Sequence, residues 1–158
     1  MKTAALKDIR QALAHCTAKE LTALCVRLAV HKKENKELLT YLLFEAGDEH
    51  AFVQEIKQEI NEGFDHINRR SFYTIKKDMR KLLRTVKKYI RYSKKKESEV
   101  ELLLYFCLKM KEFSPSIHQS SVLKNMYYQQ LKMVENRIPK LHEDLQFDFN
   151  EALSIVKN

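Results

Sequence analysis

Glycine and proline are nearly missing from this chain, with two of each in 158 residues, against average usages of about 7% and 5%. Strands joined by tight hairpins need Gly, Asn-Gly or Asp-Gly at their turns, and the one such pairing, Gly47-Asp48, falls at an expected helix end. The scarcity of breakers argues against a β fold and predicts an all-α one. Cysteine is also sparse. Cys16, Cys25 and Cys107 are widely spaced, lie among Leu and Ala, and form no CxxC. Neither a disulfide framework nor a zinc motif is expected, and the simplest reading is buried free thiols in a reducing compartment. The longest wholly apolar run, Leu102 to Leu108, has seven residues, far short of the ~20 that span a membrane. Lys7, Asp8 and Arg10 interrupt the N-terminus before an apolar run of signal-peptide length can form. A soluble cytoplasmic protein, without a membrane partner, is the expectation.

Motifs that carry chemistry are lacking as well. The six histidines, His15, His31, His50, His66, His118 and His142, include no pair at helical spacing of three or four and no HExxH. His50 and His66 share an expected helix but stand roughly 24 Å apart along it. Cys16 follows His15, yet neighbours on a helix point about 100° apart, so a surface histidine beside a core cysteine accounts for the pair. Glu45, Asp48, Glu49 and His50 gather at a helix junction, where the helix dipole already explains the acids. No Gly-rich loop is present to cradle phosphate. The expectation is a protein that is not an enzyme and that holds no cofactor or metal.

Leu, Lys and Glu dominate what remains. A chain of 158 residues buries on the order of 70% of its unfolded surface as one domain, here expected over residues 1–158. The first helix should start after Thr3, turn Leu6, Ile9 and Leu13 inward and end near Cys16. Thr17 and Glu20 have the spacing of a capping box, opening a second helix with Leu21, Leu24, Cys25, Leu28 and Ala29 on one face. Asn35 is the expected cap of a third, Lys36 to Ala46, closed by a left-handed Gly47. Leu38, Leu39, Tyr41, Leu42, Leu43 and Phe44 surround that helix, which should therefore sit centrally. Asp48 should cap a fourth helix reaching about Asn68, with Phe52, Val53, Ile56, Ile60, Phe64 and Ile67 inside and Gly63 marking a bend or a close approach. Ser71 caps the fifth. Ser98 and Glu101 form a second capping box for the sixth, which Ser114-Pro115 ends. A seventh spans roughly Ser121 to Arg137, and the last follows Pro139, with Leu141, Leu145, Phe149, Leu153 and Ile155 as its apolar positions. About eight helices in antiparallel pairs fit either a HEAT-like array or an irregular bundle.

The opening Leu6-Lys7, then Ala18-Lys-Glu-Leu21, Asn35-Lys-Glu-Leu38 and Tyr41-Leu42, with a basic helix before an apolar one, resemble a group of short bacterial all-helical proteins of unknown function. The resemblance covers about the first 110 residues. It implies an all-helical fold and no activity or functional residue.

The fifth helix carries the charge. From Arg69 to Lys96 there are 13 Lys and Arg and one acid, Asp78, a net +12; the rest of the chain has 16 bases and 20 acids, a net −4, giving +8 overall. On a helical wheel Phe72, Ile75, Met79, Leu82, Leu83, Val86, Tyr89 and Ile90 occupy an arc of roughly 120°. Lys76, Lys77, Arg80, Lys81, Arg84, Lys87, Lys88 and Arg91 fill the adjoining arc and are the candidate binding residues. Residues 45 to 65 hold seven acids and one base, Lys57. In an antiparallel hairpin, however, the acids of the fourth helix and the cations of the fifth would flank opposite sides. Three readings of the stripe stay open: a face solvated or paired within the fold, a contact for an acidic protein, or a non-specific contact for nucleic acid, with Tyr73 and Tyr92 available to stack on a base. The sequence leaves the oligomeric state unknown.

Overall fold

The computed structural model describes residues 1–157, and among them there are eight α-helices and no strand. The helices are α1 (Leu6–Ala14), α2 (Ala18–His31), α3 (Lys33–Thr40), α4 (Glu49–Asp65), α5 (Phe72–Ser93), α6 (Lys96–Glu112), α7 (Ser121–Arg137) and α8 (Glu143–Lys157). A π-helical turn, Tyr41–Glu45, follows α3, and 3₁₀ turns occupy Ile117–Gln119 and Ile138–Lys140. The fold is all-α, as the scarcity of Gly and Pro predicts. No helix among the described residues is long and apolar enough to cross a membrane.

The chain separates into two compact units, the first being Met1–Phe44 and the second starting at Glu45. In the first, α2 packs on α3, and the expected capping box forms: Thr17 Oγ1 accepts from the Glu20 main-chain N–H while the Thr17 N–H donates to Glu20 Oε2 at 2.7 Å. The inward faces expected here are not buried. Leu6 is 80% and Phe44 79% exposed, Ile9, Leu13, Leu24, Leu28, Leu42 and Leu43 are also exposed, and Tyr41 is the one buried residue. An apolar stripe identifies the face a helix would bury, not whether something covers it. Cys25 is correspondingly exposed and Cys16 half-buried, leaving Cys107 as the one buried thiol. Asn35 does not cap α3. That helix starts at Lys33, three residues earlier than expected, and the Asn35 amide donates to the Leu28 carbonyl at 2.8 Å, reaching back to α2.

The second unit holds the core. The α4 stripe is buried as expected, Phe52, Val53, Ile56, Ile60, Phe64 and Ile67 included, and Asp48 accepts from the Ala51 N–H as its cap. Gly47 is not left-handed; among the described residues the one with positive φ is Lys94, at 57°, closing α5. α6 is apolar on nearly every side and packs against α4, α5, α7 and α8. Val100, Leu102, Leu103, Leu104, Phe106, Cys107 and Met110 are all buried. Polar ties join the same layers: Lys57 to Glu101 at 2.6 Å and Tyr105 Oη to Asn61 at 2.7 Å between α4 and α6, and Arg137 to Glu99 at 2.8 Å between α6 and α7. Ser98 is not a cap either. α6 begins at Lys96, and buried Ser98 and half-buried Ser93 both donate to Glu49 Oε1 at 2.5 Å, with Lys95 pairing the other oxygen at 3.3 Å. A carboxylate at the start of α4 thus ties down the turn between α5 and α6, where charge-assisted hydrogen bonds are stronger than neutral ones.

Candidate functional site

Helix α5 is oriented by its apolar arc. Ile75, Met79, Leu83 and Val86 are buried, and the 3.6-residue period then leaves the cations on a flank that the core does not claim. Ser71 opens the helix with a complete capping box, its Oγ accepting from the Thr74 N–H, so the register of the stripe is set at its first turn.

α6 packs on both α5 and α7, and between these two runs an open groove of about 810 Å³. One wall is cationic, formed by Lys76, Lys77, Arg80, Arg84 and Lys87 of α5. The other is made of amides, Asn125, Gln129 and Gln130 of α7, and Leu83, Val122 and Met126 line the groove between them. The remaining candidates lie off it. Lys81 and Lys88 fall at the far edge of the cation arc, and Arg91 lies a turn beyond Lys87. Lys88 Nζ stands 4.8 Å over the Tyr89 ring.

Among the described residues, no carboxylate lies within ion-pair distance of Lys76, Lys77, Arg80, Lys81, Arg84, Lys87 or Arg91. Three acids of the second unit are engaged elsewhere: Glu49 holds Lys95, Glu101 holds Lys57, and Glu59 accepts from Tyr89 at 3.3 Å. Lys76 sits 5.3 Å over the ring of Tyr73, which is 68% exposed at the mouth of the groove. Tyr92 instead meets Tyr89 edge to face. Lys87 is half-buried and its ammonium donates to Met133 Sδ at 3.5 Å, a thioether being a weak acceptor. Burial pulls its pKa down, opposed by Glu99 and Cys107 nearby.

Gln130 is 2% exposed. Its Nε2 donates to the Met126 carbonyl one turn back at 3.0 Å, while Oε1 is buried without a donor. The α7 wall was not among the candidates of the sequence reading, although its signal was present. Val122, Asn125, Met126, Gln129 and Gln130 recur at the i, i+3, i+4, i+7, i+8 spacing of one helix face, and that face is only half apolar. The groups of His, Cys, Asp and Glu among the described residues include none arranged to hold a metal ion. Set beside family models, curated proteins and solved structures, the chain matches nothing.

Proposed function

We propose that this chain is a binding protein, without catalysis, whose basic helix α5 receives an acidic protein partner. The observation that carries the reading is the row of seven cations with no carboxylate at ion-pair distance among the described residues. A row of like charges repels itself, and an anionic partner removes that repulsion as it docks, which raises association rate and selectivity. The apolar residues between the walls, Leu83, Val122 and Met126, suit a partner with some apolar side chains among its acids. The free thiol of exposed Cys25 agrees with work in a reducing, cytoplasmic setting.

Nucleic acid is the second reading, favoured by the exposed ring of Tyr73 beside Lys76, where a base could stack. Titration of the purified protein with a fluorescent Glu-rich peptide and with duplex and single-stranded oligonucleotides, over a salt series, separates the two. The expected result is peptide binding that Arg80→Glu with Arg84→Glu weakens by about tenfold or more, each reversal turning an attraction into a repulsion. Oligonucleotide binding with a log–log salt slope near −0.9 per phosphate contact, and none to the peptide, would replace this reading with the second.

A further inference from the structure

We infer that α1, α2 and α3, the helices of the first unit, form the interface of a homodimer, a second copy of this chain covering the apolar face they leave open. The inference uses none of the α5 cations and goes beyond the function proposed above.

The face is continuous across three helices. Leu24, Leu28 and Val30 of α2 line a groove of about 750 Å³ with Ile9 and Leu13 of α1. On the other side of α2, Cys25, Leu28 and Ala29 line a second groove of about 220 Å³ with Leu38, Leu39 and Leu42. Leu28 belongs to both, which joins them. A helix that is apolar on most of its circumference is ordinarily buried, yet α2 has no buried residue.

The area suits a second copy. Ten Val, Leu, Ile and Phe residues from Leu6 to Phe44 are exposed, by about 60% on average. At roughly 100 Å² of apolar surface per side chain, they present on the order of 600 Å². The largest apolar patch of a typical monomer is about 300–600 Å². A standard interface takes about 800 Å² from each partner, and in homodimers about 65% of it is apolar, or roughly 520 Å². The first unit meets that need by itself. The longer second unit exposes four large apolar or aromatic side chains among the described residues, Tyr73, Tyr128, Phe147 and Ile155.

The size of the unit points the same way. Near 40 residues, disulfides, metals or association usually supply what a small core lacks. Cys16 and Cys25 are free thiols, and the described His, Cys, Asp and Glu residues include no group arranged to hold a metal ion. Association remains. Closed two-fold dimers, with the same face on both subunits, are the commonest solution. This unit carries both halves of such a contact: recesses in its two grooves and, in Leu6, Leu43 and Phe44, exposed side chains to fill them.

Charge sets the salt response. Residues 1 to 44 hold eight bases and four acids, a net +4, so two copies repel. Salt screens that repulsion and leaves apolar burial in place, and the dimer tightens. A contact of the α5 stripe with acids weakens under the same change.

The test is sedimentation velocity of the full chain from about 1 to 200 μM, at about 50 and 500 mM salt. The expected outcome is a mass rising from the 18.8 kDa of one chain toward twice that value, with a Kd of about 10 μM or tighter that falls further at high salt. Amide exchange in the same samples should slow in α1, α2 and α3 as concentration rises, from the fast values of the dilute chain, and stay constant in α4, α6 and α7. Leu28→Glu, which sets an unpaired charge where the two grooves meet, should weaken association by about a hundredfold. Phe147→Glu, at an exposed position of α8, should leave it unchanged. A single-chain mass over the whole range overturns the inference: with α1 to α3 strongly protected it assigns the face to the second unit of the same chain, and with these helices exchanging fast it leaves the face to another protein. Association that weakens with salt, that slows exchange in α5 in place of α1 to α3, or that Leu28→Glu leaves intact overturns it as well. The acidic-peptide titration is read separately, and none of these results decides it.

Discussion

Gly63, on α4, faces Leu82 of α5 so closely that a β-carbon built on it would stand 2.5 Å from Leu82 Cδ1 and 2.8 Å from Cδ2. Its place inside a helix costs up to about 1 kcal/mol in propensity relative to Ala, and the close approach is what a side chain there would lose. Gly63→Ala should therefore destabilise the protein by on the order of 1 kcal/mol through forced displacement of Leu82. In a Leu82→Ala background the same change should stabilise it by up to about 1 kcal/mol, so urea unfolding of the four-member cycle is expected to show a reversal of sign. Cys107 carries a second residue-scale consequence. Burial pushes its thiol from 9.0 up to about 12. In the unfolded chain the thiol ionises near its ordinary value, so between those two pH values the unfolded state binds fewer protons and stability falls as pH rises. Tyr127, raised by burial from 10.0 to about 12, acts in the same direction. Replacement by Ala at Cys107 should flatten the alkaline loss of stability relative to the wild type, measured as the urea midpoint across that window, while Cys25 reacts with thiol reagents in the native state and Cys107 only after unfolding. The burial of Cys107 was legible in the apolar run around it. The exposure of Cys25 was not, because a Leu- and Ala-rich setting looks the same whether or not its face is covered.

Helix starts were readable where the cap is purely local. Thr17, Asp48 and Ser71 each accept from the main-chain N–H three residues on, and nothing outside the turn is required. Ser98 and Asn35 have the right residue types but were recruited by other elements, Ser98 by Glu49 and Asn35 by the Leu28 carbonyl, across 49 and seven residues that no local pattern spans. The end of α5 depended on context as well. Lys94 takes a left-handed backbone, φ 57°, that costs an L-residue roughly 1–2 kcal/mol and a glycine almost nothing. Lys94→Gly should raise stability by about 1 kcal/mol, seen as a higher melting temperature, provided the helix end and not the lysine charge is what matters. Lys94→Ala, which removes the charge and keeps the strain, is the comparison and should give little or no gain. α7 shows the limit from the other side. Its bounds, Ser121 to Arg137, were as expected, yet its amide wall acquires meaning only beside α5.

For the molecule as a whole, burial is divided unevenly. The second unit contains almost all the buried apolar side chains, grouped about α6, whereas the first, from Met1 to Phe44, contributes Tyr41 alone. Chains of about 40 residues rarely fold on their core alone, and regions with few buried apolar contacts open most easily. Amide hydrogen exchange should therefore show α1, α2 and α3 losing protection at least about tenfold faster than α4, α6 and α7; equal protection across the chain would contradict this division. The sequence by itself determined that the chain is helical, where most helices lie, and that α5 puts its cations on one flank, since all three depend on residue type and a period of 3.6. Which apolar faces are covered, that seven of the α5 cations have no carboxylate at ion-pair distance among the described residues, and that an amide wall stands opposite them were decided only by tertiary structure, because each depends on what a second helix brings within a few ångströms of the first.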